Sequence, residues 1–145
     1  MIKELANAEL IALALAVVNP KQINGYTVGD VRAALVTDAG TVYRGVCIDT
    51  GSGLGLCAKR AAIAQMVTNK EYRIKKIVAV WNNNPTKELH VLPPCGACRQ
   101  TMLMLSEDAL DIEVVLGHDK SVRLAELLPY HEWPDKEDMP TPQAD

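Results

Sequence analysis

Three cysteines constrain this chain more than any other feature. Cys57 opens the run Cys57-Ala58-Lys59-Arg60-Ala61-Ala62, while Cys95 and Cys98 lie within Pro94-Cys95-Gly96-Ala97-Cys98-Arg99-Gln100. Each run reads as the first turn of a helix. In Cys-x-x-Cys, one helical turn sets two sulfurs on one face, where they can grip a single small ion. A third cysteine at the start of another helix completes a three-ligand site. Helix N-terminal dipoles favour thiolates, and zinc deprotonates them outright. Three protein ligands leave the fourth tetrahedral position open, which suits a water made acidic by the metal. Taken alone, the Cys95–Cys98 pair also fits a redox pair or half of a structural zinc knuckle.

The bulk of the chain decides where such a site would sit. At 145 residues the sequence reads as one domain, 1–145, large enough to bury a core. It is 48% hydrophobic and 23% charged, as expected of a soluble globular protein. With no Phe, two Trp and four Tyr, the core must be built from Ala, Val, Ile, Leu and Met. A net charge of −3 gives no electrostatic reason to expect a nucleic-acid partner. The apolar stretch from Leu10 to Val18 is short of the ~20 residues a membrane span needs, so no membrane partner is expected. Lys3, Glu4 and Glu9 do not form the basic start of a signal peptide, and no small-residue cleavage site follows. The expected location is the cytoplasm, where cysteines stay reduced and more often bind metal or catalyse than bridge.

Residues 2–18 read as a helix ended by Asn19-Pro20, and 21–25 as loop. Val31 to Thr37 and Thr41 to Ile48 read as strands around an Asp38-Ala39-Gly40 turn. The Gly-rich segment 50–55 leads into a helix from Cys57 to Asn69, so rich in small apolar residues that burial between layers is predicted. Ile74 to Trp81 reads as a strand buried on both faces, and Leu89 to Leu92 as a short extended piece. A helix from Cys95 to Leu105, a strand from Ile112 to Leu116, and a short element over 122–128 follow, helical from Leu124. The tail, 133–145, carries three prolines and several acids and reads as extended or flexible. This order predicts an α/β fold, a three-layer α/β/α sandwich around a mixed sheet.

The pairing of Cys-Ala-x-Arg-Ala-Ala with Pro-Cys-Gly-Ala-Cys-Arg-Gln resembles the zinc-dependent cytidine deaminase family, in which the metal is held by three cysteines or by two and a histidine. Val28-Gly29-Asp30-Val31-Arg32-Ala33-Ala34-Leu35 looks like that family's first strand, and Leu124-Ala125-Glu126-Leu127-Leu128-Pro129 like its C-terminal segment. The resemblance implies Zn²⁺ held by Cys57, Cys95 and Cys98, a cytidine deaminase-like fold, a nucleoside substrate and a homo-oligomer, tetramer or dimer. It also implies substrate contacts at Cys47, Asp49 and Ala58.

Two positions depart from the family pattern. Where nucleoside-cleaving members carry Asn-x-Glu to grip the ribose, this chain has Cys47-Ile48-Asp49. Asp49 can still accept hydrogen bonds from hydroxyls, but Cys47 cannot imitate an amide and also reads as a small buried hydrophobe. The region looks closer to the blasticidin S deaminase branch. At Lys59 the family places the Glu that shuttles protons between water and substrate. The thiolate-bound metal favours the ammonium form of Lys59, which has no acceptor capacity. A laboratory substitution, a natural pseudoenzyme, or a substitute acid–base at Asp49, Glu88 or His90 would each account for it.

Arg60, Arg99 and Gln100 read as anchors of the site, with salt bridges expected for the arginines. Trp81 reads as core or as a wall for a base. Gly51-Ser52-Gly53 lacks the Lys and Ser/Thr of a phosphate-binding loop. Two functions therefore stand side by side. One is hydrolytic deamination of cytidine, deoxycytidine or a blasticidin S-like nucleoside, impaired by Lys59. The other is an inactive zinc-binding pseudo-deaminase that binds a nucleoside or a partner.

Overall fold

The computed structural model describes residues 4–17, 20–83, 86–133 and 137. Seven strands form one sheet: β1 (Lys21–Ile23), β2 (Tyr26–Thr37), β3 (Val42–Asp49), β4 (Ile74–Asn83), β5 (Glu88–Val91), β6 (Glu113–Gly117) and β7 (Lys120–Arg123). Strands β3, β2, β4, β6 and β7 lie side by side in that order. The short β1 pairs with the first residues of β2, and β5 with the last residues of β4. Only the β4–β6 pair is parallel, which makes the sheet mixed.

Alternation along the central strands feeds two cores. On one face, Leu35, Ile77 and Val114 pack against Ala62, Ile63 and Met66 of α2 (Ala58–Thr68) and Met102 of α3 (Gly96–Leu105). On the other face, Ala34, Val36, Val78, Val80 and Val115 pack against Leu10, Ile11 and Ala14 of α1 (Asn7–Leu15). Helices on both faces of a mixed sheet make the expected three-layer α/β/α sandwich. Helix α1 is tied down by two buried cations. Lys76 donates to the Leu5 carbonyl at 2.8 Å, and Arg32 donates to the Leu15 carbonyl at 3.2 Å, at the negative end of the helix dipole. Among the described residues, no helix is long and apolar enough to cross a membrane.

Several expectations need correction. The first helix spans only Asn7–Leu15, and residues 1–3 and 18–19 lie outside the described residues. The segment expected as loop after Pro20 is β1, turned into β2 by Asn24 and Gly25 with φ of 51° and 82°. That pair of positive φ angles matches a type I′ hairpin turn, and Asn-Gly is its preferred dipeptide. Helix α2 is an outer layer rather than an element buried between layers, because Ala64, Gln65 and Thr68 are exposed. The short element over 122–128 is helical from Leu124, as expected: Arg123 ends β7 and α4 spans Leu124–Leu127. Nearly all of the expected tail lies outside the described residues.

Candidate metal centre and substrate cavity

The positions of α2 and α3 decide where the cysteines meet. Gly45 on β3 lets α2 lie directly on the sheet: a Cβ there would come within 2.5 Å of the Ala62 nitrogen and 2.6 Å of the Ala58 oxygen. The loop entering α2 is fixed to β3 by paired backbone bonds between Ile48 and Leu56, at 2.9 and 3.0 Å. A side chain at Gly55 would put its Cβ 2.8 Å from the Ile48 oxygen. Cys57 is the N-cap residue of α2. Leu92 is tied to Ala79 of β4 by a 2.9 Å backbone bond, and Pro93-Pro94 then lead to Cys95, the N-cap of α3.

The three sulfurs converge. Cys57 and Cys95 Sγ lie 3.7 Å apart, Cys95 and Cys98 Sγ 3.4 Å apart, and all three lie within 4.8 Å of one another. A tetrahedral zinc at ~2.3 Å from each sulfur sets sulfurs about 3.8 Å apart, so these residues fit that ion. Burial opposes a thiolate at Cys95, but the Cys98 amide and bonds with the Cys98 and Cys57 thiols hold its pKa below the ordinary range. Burial pushes the Cys98 thiol up to about 12, and a bound metal would have to displace that proton.

The cysteines line a cavity of ≈ 410 Å³ together with Cys47, Asp49, Ala58, Lys59 and Arg60. All seven sequence-predicted site residues therefore meet in one place. Lys59 is 3% exposed and donates to the Leu92 carbonyl at 3.1 Å. Burial lowers its pKa to about 8, against the opposing pull of Cys98, Cys95 and Cys57. The group is still an ammonium at neutral pH. Glu88 and His90, the more distant acid–base candidates, are exposed on β5 rather than on a loop and do not line the cavity. The Trp81 and His90 rings pack at 5.2 Å, and Trp81 is likewise not part of the cavity wall.

Cys47 is 4% exposed and is part of a second cluster. Its thiol donates to Asp30 Oδ1 at 2.7 Å and lies 3.9 Å from Asp49 Oδ2. Burial, followed by the bond to Asp30, pushes that thiol up to about 11, so Cys47 keeps its proton. Burial and the neighbouring Asp30 also raise the Asp49 carboxyl above its ordinary range. Asp30 escaped sequence reasoning. It lies where the β2–β3 register shifts between Val28 and Arg32, an irregularity that no spacing in the sequence announces. The arginines are corrected too. Arg99 bonds the carbonyls of Pro94 and Leu127, both at 2.9 Å, and neither Arg60 nor Arg99 makes an ion pair among the described residues.

No protein-family model matches the chain. A cytidine deaminase from Halalkalibacterium halodurans is 36% identical over 109 residues, covering 72% of this chain and 77% of that protein. Blasticidin-S deaminase from Bacillus cereus is 28% identical over 103 residues, covering 68% and 74%. The crystal structure of cytidine deaminase from Burkholderia pseudomallei superposes with a TM-score of 0.66 at 27% identity, covering 87% of this chain and 98% of that one. With its three-layer fold and convergent cysteines alongside these likenesses, the chain belongs to the cytidine deaminase family.

Proposed function

We propose that this chain is a zinc-dependent hydrolytic deaminase of a cytosine-type nucleoside, with cytidine, deoxycytidine and blasticidin S as the substrates to test, and that Lys59 slows its turnover. The observation that carries the reading is the meeting of three cysteine sulfurs at tetrahedral spacing in a cavity of nucleoside size. Cys57, Cys95 and Cys98 would hold the zinc. When bound, zinc supplies Lewis acidity that makes water a nucleophile at neutral pH. Asp49 offers acceptor oxygens to sugar hydroxyls, and Cys47 packs behind it as a protonated thiol. Ala58, 2% exposed, leaves room beside Cys57.

Lys59 stands where a proton must be taken up and passed on. As an ammonium it donates and cannot accept, so the chain lacks a base at that point. Loss of such assistance typically costs about 10²–10⁴ in rate. The protein is expected to work as a homo-oligomer in the cytoplasm. The test is ammonia release from cytidine, deoxycytidine and blasticidin S by the zinc-loaded protein. Lys59→Glu should raise the rate at least about a hundredfold. Equal rates would remove this account of Lys59, and a protein that takes up no zinc, or carries a Cys95–Cys98 disulfide, would remove the whole reading.

A further inference from the structure

Strand β2 breaks its register opposite the cavity wall. Val28 pairs with Ile48 and Arg32 with Val46, so Gly29, Asp30 and Val31 of β2 stand opposite Cys47 alone on β3. Had the ladder stayed regular after Val28, residue 30 would oppose Val46, on the face turned away from Cys47. Gly29 absorbs the irregularity with a φ of 78°, a conformation open to glycine. Bulges re-aim side chains, and this one turns Asp30 toward Cys47.

The result is a chain of contacts that ends in the cavity. Asp30 Oδ1 accepts from the Val31 N–H at 2.9 Å and from the Cys47 thiol at 2.7 Å, and Cys47 Sγ accepts from the same Val31 N–H at 3.3 Å. Cys47 Sγ lies 3.9 Å from Asp49 Oδ2, two residues along the same face of β3. Cys47 and Asp49 line the cavity, whereas Asp30 stands behind its wall. Asp49 makes no ion pair among the described residues, and the side chains that touch its carboxyl there are Cys47 and Asp30. An exposed carboxylate gives up rotamer freedom when it meets a ligand, and one held from behind has given it up already.

We propose that Asp30 is a positioning residue for ligand recognition: from behind the wall it fixes the Cys47 thiol, which holds the Asp49 carboxyl aimed at sugar hydroxyls in the cavity. The inference rests on reading Asp49 as the acceptor of those hydroxyls. Asp30 touches no ligand itself and acts through Asp49. Asparagine at position 30 keeps an Oδ1 that accepts from the Cys47 thiol, and alanine removes it.

Calorimetric titration of the zinc-loaded protein tests this with uridine, the deamination product that is not turned over, and with uracil, its sugar-free base. The unmodified protein should bind uridine at least about tenfold more tightly than uracil. Asp30→Ala should weaken uridine binding about tenfold and leave uracil unchanged, while Asp30→Asn keeps uridine within about twofold. In an Asp49→Ala background, Asp30→Ala should cost nothing further, as required of a residue that acts through Asp49. Circular dichroism is read on every variant, and Cys47→Ala, which cuts the same chain of contacts, carries the test if Asp30→Ala does not fold. The positioning role is overturned by uridine binding indifferent to Asp30→Ala, by an equal loss for uridine and uracil, by a loss that persists without Asp49, or by an equal loss in Asp30→Asn. Equal affinities for uridine and uracil in the unmodified protein overturn it too, and leave the base site standing. A protein that binds neither removes the nucleoside reading, and the role of Asp30 falls with it.

Discussion

Lys59 brings a positive charge into the second position of α2, where burial and the helix dipole both oppose it. The Leu92 carbonyl and the cysteines offset part of that cost, which is how an ammonium persists with 3% exposure. Glu71 shows the opposite case of a charge held by its neighbours. Its carboxylate accepts from Thr37 Oγ1 at 2.6 Å and from the Tyr43 hydroxyl, and the Thr37 bond chiefly holds its pKa below the ordinary range. A depressed carboxyl pKa stabilises the fold above the unfolded value of ~4.3 and loses that contribution as pH falls through the folded value. Melting temperature followed against pH should therefore fall on the acid side, and Glu71→Gln should flatten that limb. An unchanged acid limb in the variant would show that Glu71 is not its source.

At the scale of elements, the contact between β3 and α2 places the site, and Gly45 permits it. Gly45→Ala drives a methyl group into the α2 backbone rather than into a side chain that can swing away. The expected cost is about 1–3 kcal/mol, read by chemical denaturation, with reduced zinc uptake because Cys57 moves with the helix. Full stability and full zinc content would contradict this. Elements whose signals are local were legible in the sequence. The helix starts at Cys57 and Cys95, the two-faced apolar run of β4 and the Gly40 turn all stand where spacing predicts them. What escaped depends on partners distant along the chain. All three β1 residues are exposed, so Lys21–Ile23 has no buried alternation to betray a strand. Asp30 reaches Cys47 only through strand pairing and a local irregularity. How deeply Lys59 is buried, at 3% exposure, likewise depends on how α2 packs against the rest of the chain.

At the scale of the whole molecule, the chain leaves several apolar side chains in water. Ile48, which lines the cavity, is 39% exposed, Leu54 in the loop before α2 is 80% exposed, and Met104 on α3 is 71% exposed. The proposed homo-oligomer predicts that light scattering at micromolar concentration reports a dimer or tetramer. A monomeric mass would count against the proposed assembly. The separation of the ligands in sequence has a further effect. A metal joining Cys57 to Cys95 would close the chain between them into a ring that contains α2, β4 and β5, including the central strand of the sheet. An unfolded chain that kept the ring would forfeit entropy, and an unfolded chain that opened it would surrender its metal. Metal release, followed with a chromogenic chelator, should therefore coincide with loss of far-ultraviolet dichroism, as a single transition shared by the centre and the sheet.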